Sequence, residues 1–561
     1  MALRHSAAHL LAHAVSELFP GTILTIGPAT EEGFFYDMLP ARNFKEEDLP
    51  LIEARMKEIA NRNLPLTHEP MNKDEARKLY KNNPYKLELI DGIPGDTVGI
   101  ARQGDFYDLC RGGHVDTTGM LKNVKLTQIS GSYWRADRSK QPLQRISGIV
   151  FFTAQDLAEY ERKKEEAAKY DHRKLGKQLD LFSFHEEGVG FPFFHPKGKL
   201  VINLMIAYMR KLQQANNYQE ISTPTMLSDT LWKRSGHWAH YKDKMYFCDI
   251  DESVYAVKPM NCPGSILVYA TRPRSYRELP LKLAEFGHVH RHELSGVLHG
   301  LMRVRAFTQD DAHIYCMPDQ IEQEVITIVK IAYSMLNKFG FKDIDVTIST
   351  KPEDAMGDPA LWEKATNALK GALQQLNIPF TISEGEGAFY GPKIEFRIKD
   401  SMGREWQCGT VQVDFFFPQN FELEYIASSG QRERPVMIHQ AIYGSLERFF
   451  AIILEHFKGH LPFWLSPVQI KILTITDAQK EYAQKIMDKL KDHGLRVEMD
   501  ETSDQISGKI KRAQEEKLPW MLVIGQKEVD NNAITLRHND GKQEFGLTLE
   551  QVIKKADDLN Q

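Results

Sequence analysis

Residues 464–561 alternate between strand-like and helix-like patterns, and this regularity constrains the fold of the chain more than any other feature. VQIKILTI, LRVEMD, WMLVIG and AITLRH are typical of strands, whereas AQKEYAQKIMDKLKDHG, QISGKIKRAQEEK and TLEQVIKKADDL are typical of helices. Such alternation predicts a small α/β domain. LPFWLSP, in which two prolines bracket an apolar anchor, predicts the linker before it.

The rest of the chain divides into three further segments, because 561 residues are too many for one hydrophobic core. Residues 1–152 mix short helices and strands and end in the strand-like LKNVKLTQIS and LQRISGIVFF. Residues 153–180 are polar all round, which predicts a solvated linker helix. Residues 181–463 open with an amphipathic helix and continue as strands and loops. We therefore expect a multidomain protein of α+β and α/β type.

The composition narrows the class of protein. Hydrophobic residues at 42% and charged residues at 26% are typical of globular domains. No apolar run reaches the length of a bilayer span, and MALRHSAAHLLAHAV lacks the basic start and long apolar core of a signal peptide. We expect a cytoplasmic protein with no membrane partner. The net charge of −5 neither supports nor excludes nucleic acid. The cysteines are too scattered for a disulfide framework and read as single thiols or metal ligands: Cys110, Cys248, Cys262, Cys316 and Cys408.

The stretch LKLAEFGHVHRHELSGVLHGLMRVRAFTQDDAHIYC predicts two strands joined by a glycine-containing loop. Alternation along a strand places Arg291 and Glu293 on one face of the first strand. In the second strand one face gathers cations, an amide, a carboxylate and an imidazole: Arg303, Arg305, Gln309, Asp311 and His313. Such a row suits a binding site, although a solvated strand could present the same residues.

Three stretches in order resemble the motifs of class II aminoacyl-tRNA synthetases. NYQEISTPTML resembles motif 1, with Pro224 at a dimer interface. FGHVHRHE resembles motif 2, and IHQAIYGSLERFFAIILEHF resembles motif 3, with Gly444 opening a helix. The resemblance implies an antiparallel-sheet catalytic core over 181–463 and a homodimer.

The chemistry of this family suits these residues. Adenylate formation is attack of an amino-acid carboxylate on the α-phosphorus of ATP, so the protein positions reactants and stabilises negative charge. The planar fork of arginine matches phosphate oxygens. The resemblance implies Arg291 at the α-phosphate, Glu293 at adenine, and Arg303 with Arg448 at the distal phosphates. Mg²⁺ would accompany ATP.

Three residues resemble the zinc site of the threonyl-tRNA synthetases: Cys262 in VKPMNCPGS, His313 in DDAHIYC and His439 in PVMIHQAIYG. Their spacing carries no local zinc signature, so without the resemblance they read as a buried thiol and two core histidines. Three protein ligands leave one coordination position open. In the family, threonine binds this Zn²⁺ through its amino group and hydroxyl, and valine lacks the hydroxyl. Ser265 stands where the family commonly has His or Asn.

The same resemblance implies further contacts to threonine and ATP. Asp311 and Tyr390 would hold the amino group, and Gln309 and Lys393 the carboxylate. The remaining residues of the pocket lie on the strand-like REWQCGTVQVDF and in motif 3: Gln407, Thr410, Gln412 and Ser445.

A site that recognises the amino group and hydroxyl of threonine should also accept serine, because serine has both groups and lacks only one methyl. A methyl contributes about 1–3 kcal/mol, or roughly 10–200-fold discrimination. Hydrolysis of seryl-tRNA(Thr) is therefore expected. The first segment pairs an HxxxH on one helix face with a later CxxxH, which resembles the editing domains of threonyl- and alanyl-tRNA synthetases. The implied editing residues, which could position water or bind a metal, are His5, His9, Lys86, Asp108, Cys110 and His114.

The C-terminal segment resembles the anticodon-binding domain of the Gly, His, Pro and Thr subgroup. Glu528 and Arg537 match positions that read anticodon bases, here of tRNA(Thr), although either could be a plain surface charge. The resemblance covers nearly the whole chain. Family members usually begin with a further small domain, whereas this chain starts within a few residues of the HxxxH helix.

Three other functions compete with this interpretation. A non-catalytic relative could bind RNA as a regulator, but Arg291, Arg448 and the three zinc candidates argue against it. A metallohydrolase would need the glutamate of HExxH, and Ser6 stands there. Proline, histidine or glycine specificity is the nearest enzymatic alternative, and the zinc candidates together with the HxxxH segment argue against it.

Overall fold

The computed structural model describes residues 1–31, 33–137, 139–353, 355 and 358–560. The chain forms two compact units, Met1–Glu166 and Ala167–Gln561. Among the described residues, no helix has the length and apolar character that a bilayer crossing requires.

The first unit packs helices against antiparallel sheets. Its helices are α1 (Ala2–Leu18), α2 (Leu49–Asn61), α3 (Lys73–Leu79), α4 (Pro84–Gly92) and α5 (Ala154–Lys169, which runs past the end of the unit). Its strands are β1 (Ile23–Ile26), β2 (Phe34–Leu39), β3 (Leu66–Asn72), β4 (Thr97–Gln103), β5 (Phe106–Leu109), β6 (Asn123–Tyr133) and β7 (Pro142–Phe151). One sheet has the order β1-β2-β7-β6 and another β3-β4-β5. The alanine-rich α1 buries nearly its whole central stretch, because small side chains let neighbouring elements approach closely.

The segment predicted as one linker helix forms two helices. α5 buries no side chain, as its polarity predicts. The helix ends before Asp171, whose side chain accepts a hydrogen bond from the backbone N–H of Arg173 at 2.8 Å and caps the next helix. That helix, α6 (His172–Gln178), buries His172 and Leu175 and belongs to the second unit.

The second unit contains the remaining elements. Its further helices are α7 (Pro196–Ala215), α8 (Asp229–Arg234), α9 (His237–Tyr241), α10 (Cys262–Tyr269), α11 (Ile321–Lys338), α12 (Pro359–Gln375), α13 (Phe416–Asn420), α14 (Leu446–His456), α15 (Lys480–Asp492), α16 (Ile506–Glu515), α17 (Gln526–Asp530) and α18 (Leu549–Asn560). Its strands are β8 (Phe182–Ser183), β9 (Phe193–Phe194), β10 (Gln219–Glu220), β11 (Met226–Ser228), β12 (Tyr246–Ile250), β13 (Ser253–Val257), β14 (Arg274–Ser275), β15 (Leu281–His290), β16 (Ala306–Cys316), β17 (Ile344–Ser349), β18 (Thr381–Ser383), β19 (Lys393–Lys399), β20 (Glu405–Asp414), β21 (Tyr425–Ile426), β22 (Arg432–Glu433), β23 (Val436–Ala441), β24 (Ile470–Thr474), β25 (Val497–Asp500), β26 (Trp520–Ile524), β27 (Ile534–His538) and β28 (Gln543–Leu547).

An eight-stranded sheet of order β10-β15-β16-β23-β20-β19-β17-β18 forms the centre of this unit. Its strands pair antiparallel except at the two ends, where β10 runs parallel to β15 and β18 to β17. The apolar faces of α7, α11, α12 and α14 contribute to the hydrophobic core that also includes this sheet.

The predicted hairpin is formed by β15 and β16, which pair antiparallel along their whole length. Four residues expected inside its strands lie outside them: Arg291, Glu293, Arg303 and Arg305. One further hydrogen bond, from the Arg291 N–H to the Arg305 carbonyl at 2.8 Å, extends the hairpin, and the ladder ends there because the Arg305 N–H donates to the Gly190 carbonyl at 2.7 Å. These cations and Glu293 therefore lie on the connecting segment, which strand alternation does not govern.

The C-terminal part of the unit has the predicted alternation of strands and helices. β25, β24 and β26 are parallel, and β27 and β28 continue the sheet antiparallel. The short α17 and the edge strand β28 were not predicted.

Candidate functional site

A buried cluster of one cysteine and two histidines lies on the central sheet. His313 on β16 and His439 on β23 are direct partners in the strand register, and their ring centroids are 5.1 Å apart. Cys262 is the first residue of α10. One ligand atom of each residue lies within 4.8 Å of the others. The fold thus brings together the three residues that the sequence resemblance selected.

The donor set of this cluster fits a zinc ion. His439 places Nε2 at 2.9 Å from Asp414 Oδ2, which leaves Nδ1 free for a ligand. The buried Nε2 of His313 has no hydrogen-bond partner. Burial, and then the neighbouring His439, lower the pKa of His313, so its ring is neutral and able to coordinate. A thiol and two imidazoles, one with an orphaned nitrogen, are ligands that zinc prefers.

Polar residues expected at the amino-acid end adjoin the cluster. Asp311 Oδ1 lies 3.7 Å from His313 Nε2, and Oδ2 accepts from Asn261 Nδ2 at 3.1 Å. Burial raises the pKa of Asp311 to about 6. The Tyr390 ring lies 5.3 Å from that of His439, and its hydroxyl donates to Gln412 Oε1.

Two other expected residues share one buried carboxylate. Lys393 Nζ lies 2.9 Å from Glu395 Oε1, which also accepts from Gln407 Nε2. Ser349 Oγ donates to the other oxygen of Glu395 at 2.8 Å. Sequence reasoning missed Glu395, Asp414 and Asn261. A signal existed, because each lies one or two residues from a named residue on the same strand or helix start.

The arginines that resemble motif 2 residues lie at the end of β15 and on the segment that connects β15 to β16. Arg291 follows β15, donates from Nε to the Pro259 carbonyl at 3.2 Å, and lies with its guanidinium 5.0 Å from the Phe307 ring centroid. Arg303 is exposed on the connecting segment. The side chain of Glu293 is partly buried, and the Glu293 carbonyl accepts from Arg305 Nε at 2.9 Å.

Arg448 lies in the first turn of α14, as the motif 3 resemblance predicts. Ser445 caps this helix by accepting from the Arg448 backbone N–H at 3.2 Å, and Gly444 precedes it at φ 79°. The buried Nε of Arg448 has no hydrogen-bond partner. Burial lowers the pKa of Arg448, and the charge of Arg303 adds to that effect. Two cations that repel each other suit a polyphosphate between them.

The remaining expected residues lie on the same strands. Gln309 on β16 faces Gly287 in the register, and Thr410 on β20 pairs with Glu395 and Ala441. Ser265 is fully buried, and its hydroxyl lies 3.0 Å from the Tyr315 hydroxyl.

The first unit brings the residues of the HxxxH and CxxxH together. Ligand atoms of His5, His9, Cys110 and His114 lie within 4.8 Å of one another. Cys110 Sγ lies 3.0 Å from His114 Nε2 and 3.5 Å from His5 Nε2. His9 Nδ1 lies 3.0 Å from Asp108 Oδ2.

Lys86 and Asp108 form the charged back of this cluster. Lys86 Nζ contacts Asp108 Oδ1, and the Tyr36 hydroxyl donates to Asp108 Oδ2 at 2.5 Å. Burial opposes ionisation of Cys110, but hydrogen bonds from His114 and His5 outweigh it and lower the pKa of the thiol to about 3. Burial also opposes protonation of His9, yet Asp108 and Cys110 raise its pKa to about 9. These opposite shifts favour the thiolate form of Cys110 and the imidazolium form of His9.

His13 continues the histidine row of α1 but stays out of the cluster. Its Nε2 lies 3.1 Å from Glu17 Oε1, and Nδ1 lies 3.0 Å from Gln103 Nε2. Its ring stacks on Phe106. His13 is therefore a packed structural residue.

The two anticodon candidates differ in how their side chains are engaged. Glu528 uses both oxygens within the protein, accepting from the Gly525 N–H at 2.9 Å and the Thr535 hydroxyl at 2.8 Å. Arg537 on β27 has a buried Nε without a hydrogen-bond partner. Arg537 is the better placed of the two to bind a partner.

Comparisons with known proteins agree with this geometry. Family models match residues 246–457 (tRNA synthetase class II core domain, G, H, P, S and T), 467–559 (anticodon binding domain) and 98–147 (threonyl and alanyl tRNA synthetase second additional domain). The crystal structure of the RNA binding domain of threonyl-tRNA synthetase from Cryptosporidium parvum is similar at a TM-score of 0.67 and 42% identity, covering 69% of this chain and 98% of that one. The fold and the site define a class II aminoacyl-tRNA synthetase.

The curated relatives specify the family further. The threonine–tRNA ligase of Carboxydothermus hydrogenoformans is 50% identical over 557 residues, which are 98% of this chain and 88% of that protein. The enzyme of the same name from Caldanaerobacter subterraneus is 50% identical over 554 residues, 98% of this chain and 86% of that protein. The chain belongs to the threonine–tRNA ligase family.

Proposed function

We propose that this chain activates L-threonine with ATP and Mg²⁺, transfers it to the 3′ end of tRNA(Thr), and hydrolyses seryl-tRNA(Thr). The observation that carries the proposal is the joining of Cys262, His313 and His439 on the central sheet of a class II core. The family relatives support the reaction, and the separate histidine–cysteine cluster supports the editing step.

Activation needs no nucleophile from the protein. A carboxylate oxygen of threonine forms a bond to the α-phosphorus, and the bond to pyrophosphate breaks. Arg291 offsets charge at the α-phosphate, Glu293 binds adenine, and Arg303 with Arg448 hold the departing pyrophosphate. The unpartnered Nε of buried Arg448 supports this role. Ser445 fixes the helix start beneath Arg448, while Gln309 and Thr410 line the strands beside it.

Selection of threonine rests on the zinc ligands and their neighbours. Cys262, His313 and His439 would hold Zn²⁺, which when bound supplies an open coordination position for an amino group and a hydroxyl. Asp311 and Tyr390 orient the amino group. Lys393 binds the carboxylate of threonine. Glu395 fixes the side chains of both Lys393 and Gln407, and Gln412 accepts a hydrogen bond from the Tyr390 hydroxyl.

Editing is assigned to the cluster of the first unit. Water adds to the ester carbonyl of seryl-tRNA, and the bond to the terminal ribose oxygen breaks. Histidines within reach of the thiolate of Cys110 can position the water and move its proton. Asp108 and Lys86 hold His9 in place. The same donor atoms could bind a metal instead.

The tRNA contact, the assembly and the compartment complete the proposal. Arg537 on β27 of the C-terminal sheet contacts anticodon bases. Glu528 contributes less, because both of its carboxylate oxygens already accept hydrogen bonds within the protein. The chain acts as a homodimer through the region of Pro224. It works in the cytoplasm, where ribosomes use charged tRNA.

ATP–pyrophosphate exchange with each of the twenty amino acids tests the proposal. Threonine should give the strongest exchange, serine a weaker one and valine nearly none. Arg291→Ala should abolish all of it. Exchange with proline, histidine or glycine would overturn the specificity, and no exchange at all would favour an RNA-binding regulator.

A further inference from the structure

His172 is a fully buried histidine whose polar atoms are all engaged. Its Nδ1 lies 2.6 Å from Glu455 Oε1, and its backbone N–H donates to the same oxygen at 2.9 Å. Its Nε2 accepts from the backbone N–H of Leu301 at 3.0 Å. Because Nε2 accepts, the ring proton is on Nδ1 and the donor to Glu455 is a neutral imidazole.

Each partner of His172 leads directly to one of the two arginines assigned to the distal phosphates. Leu301 is the middle residue of the turn Gly300–Met302, and Arg303 follows this turn at once. Glu455 lies seven residues after Arg448 on α14, about two helical turns, so both occupy the same face of that helix. One imidazole ring therefore joins the support of Arg303 to the support of Arg448.

The far side of Glu455 is fixed as well. Its Oε2 accepts from Arg404, which also pairs with Asp400. Asp171, His172 and Glu455 have the spacing of a metal site, but neither ring nitrogen of His172 has a free lone pair for an ion. The arrangement is a bracket of hydrogen bonds.

Gly300 approaches the imidazole ring of His172 closely at Nε2. Its φ is +47°, and a Cβ atom there would lie 2.1 Å from His172 Nε2. The turn reaches the imidazole only because residue 300 has no side chain. The sequence therefore provides both halves of one close contact.

We propose that His172 is a positioning residue that sets the separation of Arg303 and Arg448, and so tunes the binding of the ATP polyphosphate. The proposal rests on the proposed roles of the two arginines. It predicts an effect on ATP that threonine binding does not share, because neither zinc ligands nor Asp311 contact this bracket.

Three substitutions separate the two hydrogen bonds of the ring. His172→Phe keeps the ring volume and removes both bonds, and it should raise the KM for ATP in pyrophosphate exchange about tenfold while the KM for threonine changes less than about twofold. Gln can place an oxygen where Nε2 accepts from Leu301, whereas Asn can only replace the donor to Glu455. His172→Gln should therefore retain more ATP affinity than His172→Asn.

His456→Gln is the matched control, since His456 adjoins Glu455 on α14 but its ring Nδ1 accepts from the Ser401 N–H at 3.1 Å, not from the turn before Arg303. Its KM for ATP should stay within about twofold of wild type. Thermal unfolding of every variant separates stability from binding. A lowered Tm with an unchanged KM for ATP in His172→Phe and His172→Asn would overturn the proposal.

Gly300→Ala tests the same contact without altering the histidine. Alone it should raise the KM for ATP, because the new methyl pushes the turn away from the ring. In a His172→Ala background the 2.1 Å clash with the ring disappears and only the 2.8 Å contact with Arg173 Cγ remains, so the double variant should lose less than the two single effects combined. Strict additivity would overturn the proposal. A wild type without threonine-dependent exchange would instead overturn the proposed function.

Discussion

Asp414 determines which nitrogen of His439 faces the cysteine–histidine cluster. Its Oδ2 lies 2.9 Å from His439 Nε2, and its Oδ1 accepts the backbone N–H groups of Phe416 at 2.7 Å and Phe417 at 3.0 Å. The carboxylate is thus anchored by α13 and cannot turn to follow the ring. This fixes the tautomer and the orientation of a ligand before any metal arrives.

We predict one zinc ion per chain in this cluster. His439→Ala should remove the metal and threonine-dependent pyrophosphate exchange together, because two donors from protein do not hold zinc tightly. Elemental analysis of the purified protein measures the occupancy. Cys316→Ala is the control, since Cys316 is a buried free cysteine outside the cluster. Full zinc occupancy in His439→Ala would contradict the assignment.

We predict that Cys110 is a thiolate at neutral pH. The hydrogen bonds of His114 and His5, working against burial, lower its pKa to about 3, whereas in an unfolded chain the thiol titrates near its ordinary pKa of 9.0. This group therefore contributes stability above pH 9 and loses that contribution as the pH falls toward 3. His9, raised to about 9, has the opposite sign and contributes fully only below about 6.5.

The ultraviolet absorbance of the thiolate measures this titration. It is recorded as the difference between wild type and Cys110→Ser. The difference should persist from neutral pH down to at least pH 5. His114→Ala should move the transition to higher pH, because it removes the shortest contact to Sγ. A midpoint near 9 in wild type would show that the histidines do not hold the charge.

At the scale of elements, one face of helix α1 presents His5 and His9, two of the proposed editing residues. The double change His5→Ala with His9→Ala should abolish deacylation of preformed seryl-tRNA(Thr) and leave threonine activation intact, because the two clusters belong to different compact units. His13→Ala is the matched control on the same helix, since His13 is bound to Glu17 and Gln103 outside the cluster. A double mutant that deacylates as fast as wild type would place editing elsewhere.

Helix α14 gives a second prediction at this scale. Ser445→Ala removes the cap that accepts the Arg448 N–H, so it should cost about 1 kcal/mol of stability and raise the KM for ATP. Ser228→Ala removes a comparable cap from α8, where the Thr230 N–H donates at 3.4 Å. That control should lower Tm without changing the KM for ATP. Equal KM values for ATP in both variants would separate the cap from the function of Arg448.

Sequence patterns predicted the elements better than their pairings. Alternation placed Gln309, Asp311 and His313 on one face of β16, because that strand is regular. It failed for Arg303, whose backbone pairs locally with His299, and for Arg305, whose N–H donates to the distant Gly190 carbonyl. The pairing of His313 with His439 joins strands far apart in sequence, so only the family resemblance connected them.

Buried carboxylates were the main omission at the site. Glu395 joins Lys393 to Gln407, and its role depends on the register of β19 and β20, which a single sequence does not encode locally. The break of the linker helix at Asp171 was missed for a similar reason. The polarity of the segment masked one buried histidine, whose partners lie on α14 and in the turn before Arg303.

For the whole molecule, the edge of the central sheet at β10 is the feature that indicates a second copy of the chain. The edge strand β10 is followed along the chain by exposed Pro224 and then by Met226, which is 40% exposed on β11 of a separate three-stranded sheet. An edge with unpaired backbone and apolar neighbours is stable in solution when another surface covers it.

We therefore predict a homodimer, with light scattering at micromolar concentration giving twice the chain mass of 64.4 kDa. Met226→Glu should weaken this dimer, because Met226 lies two residues after Pro224 in the motif 1 segment and the change would bury a charge at the interface proposed there. Ile382→Glu is the matched control: Ile382 is 49% exposed on β18, at the opposite edge of the same sheet, and its change should leave the mass doubled. A wild-type monomer at that concentration, or dissociation caused by Ile382→Glu alone, would contradict a dimer formed at the motif 1 edge.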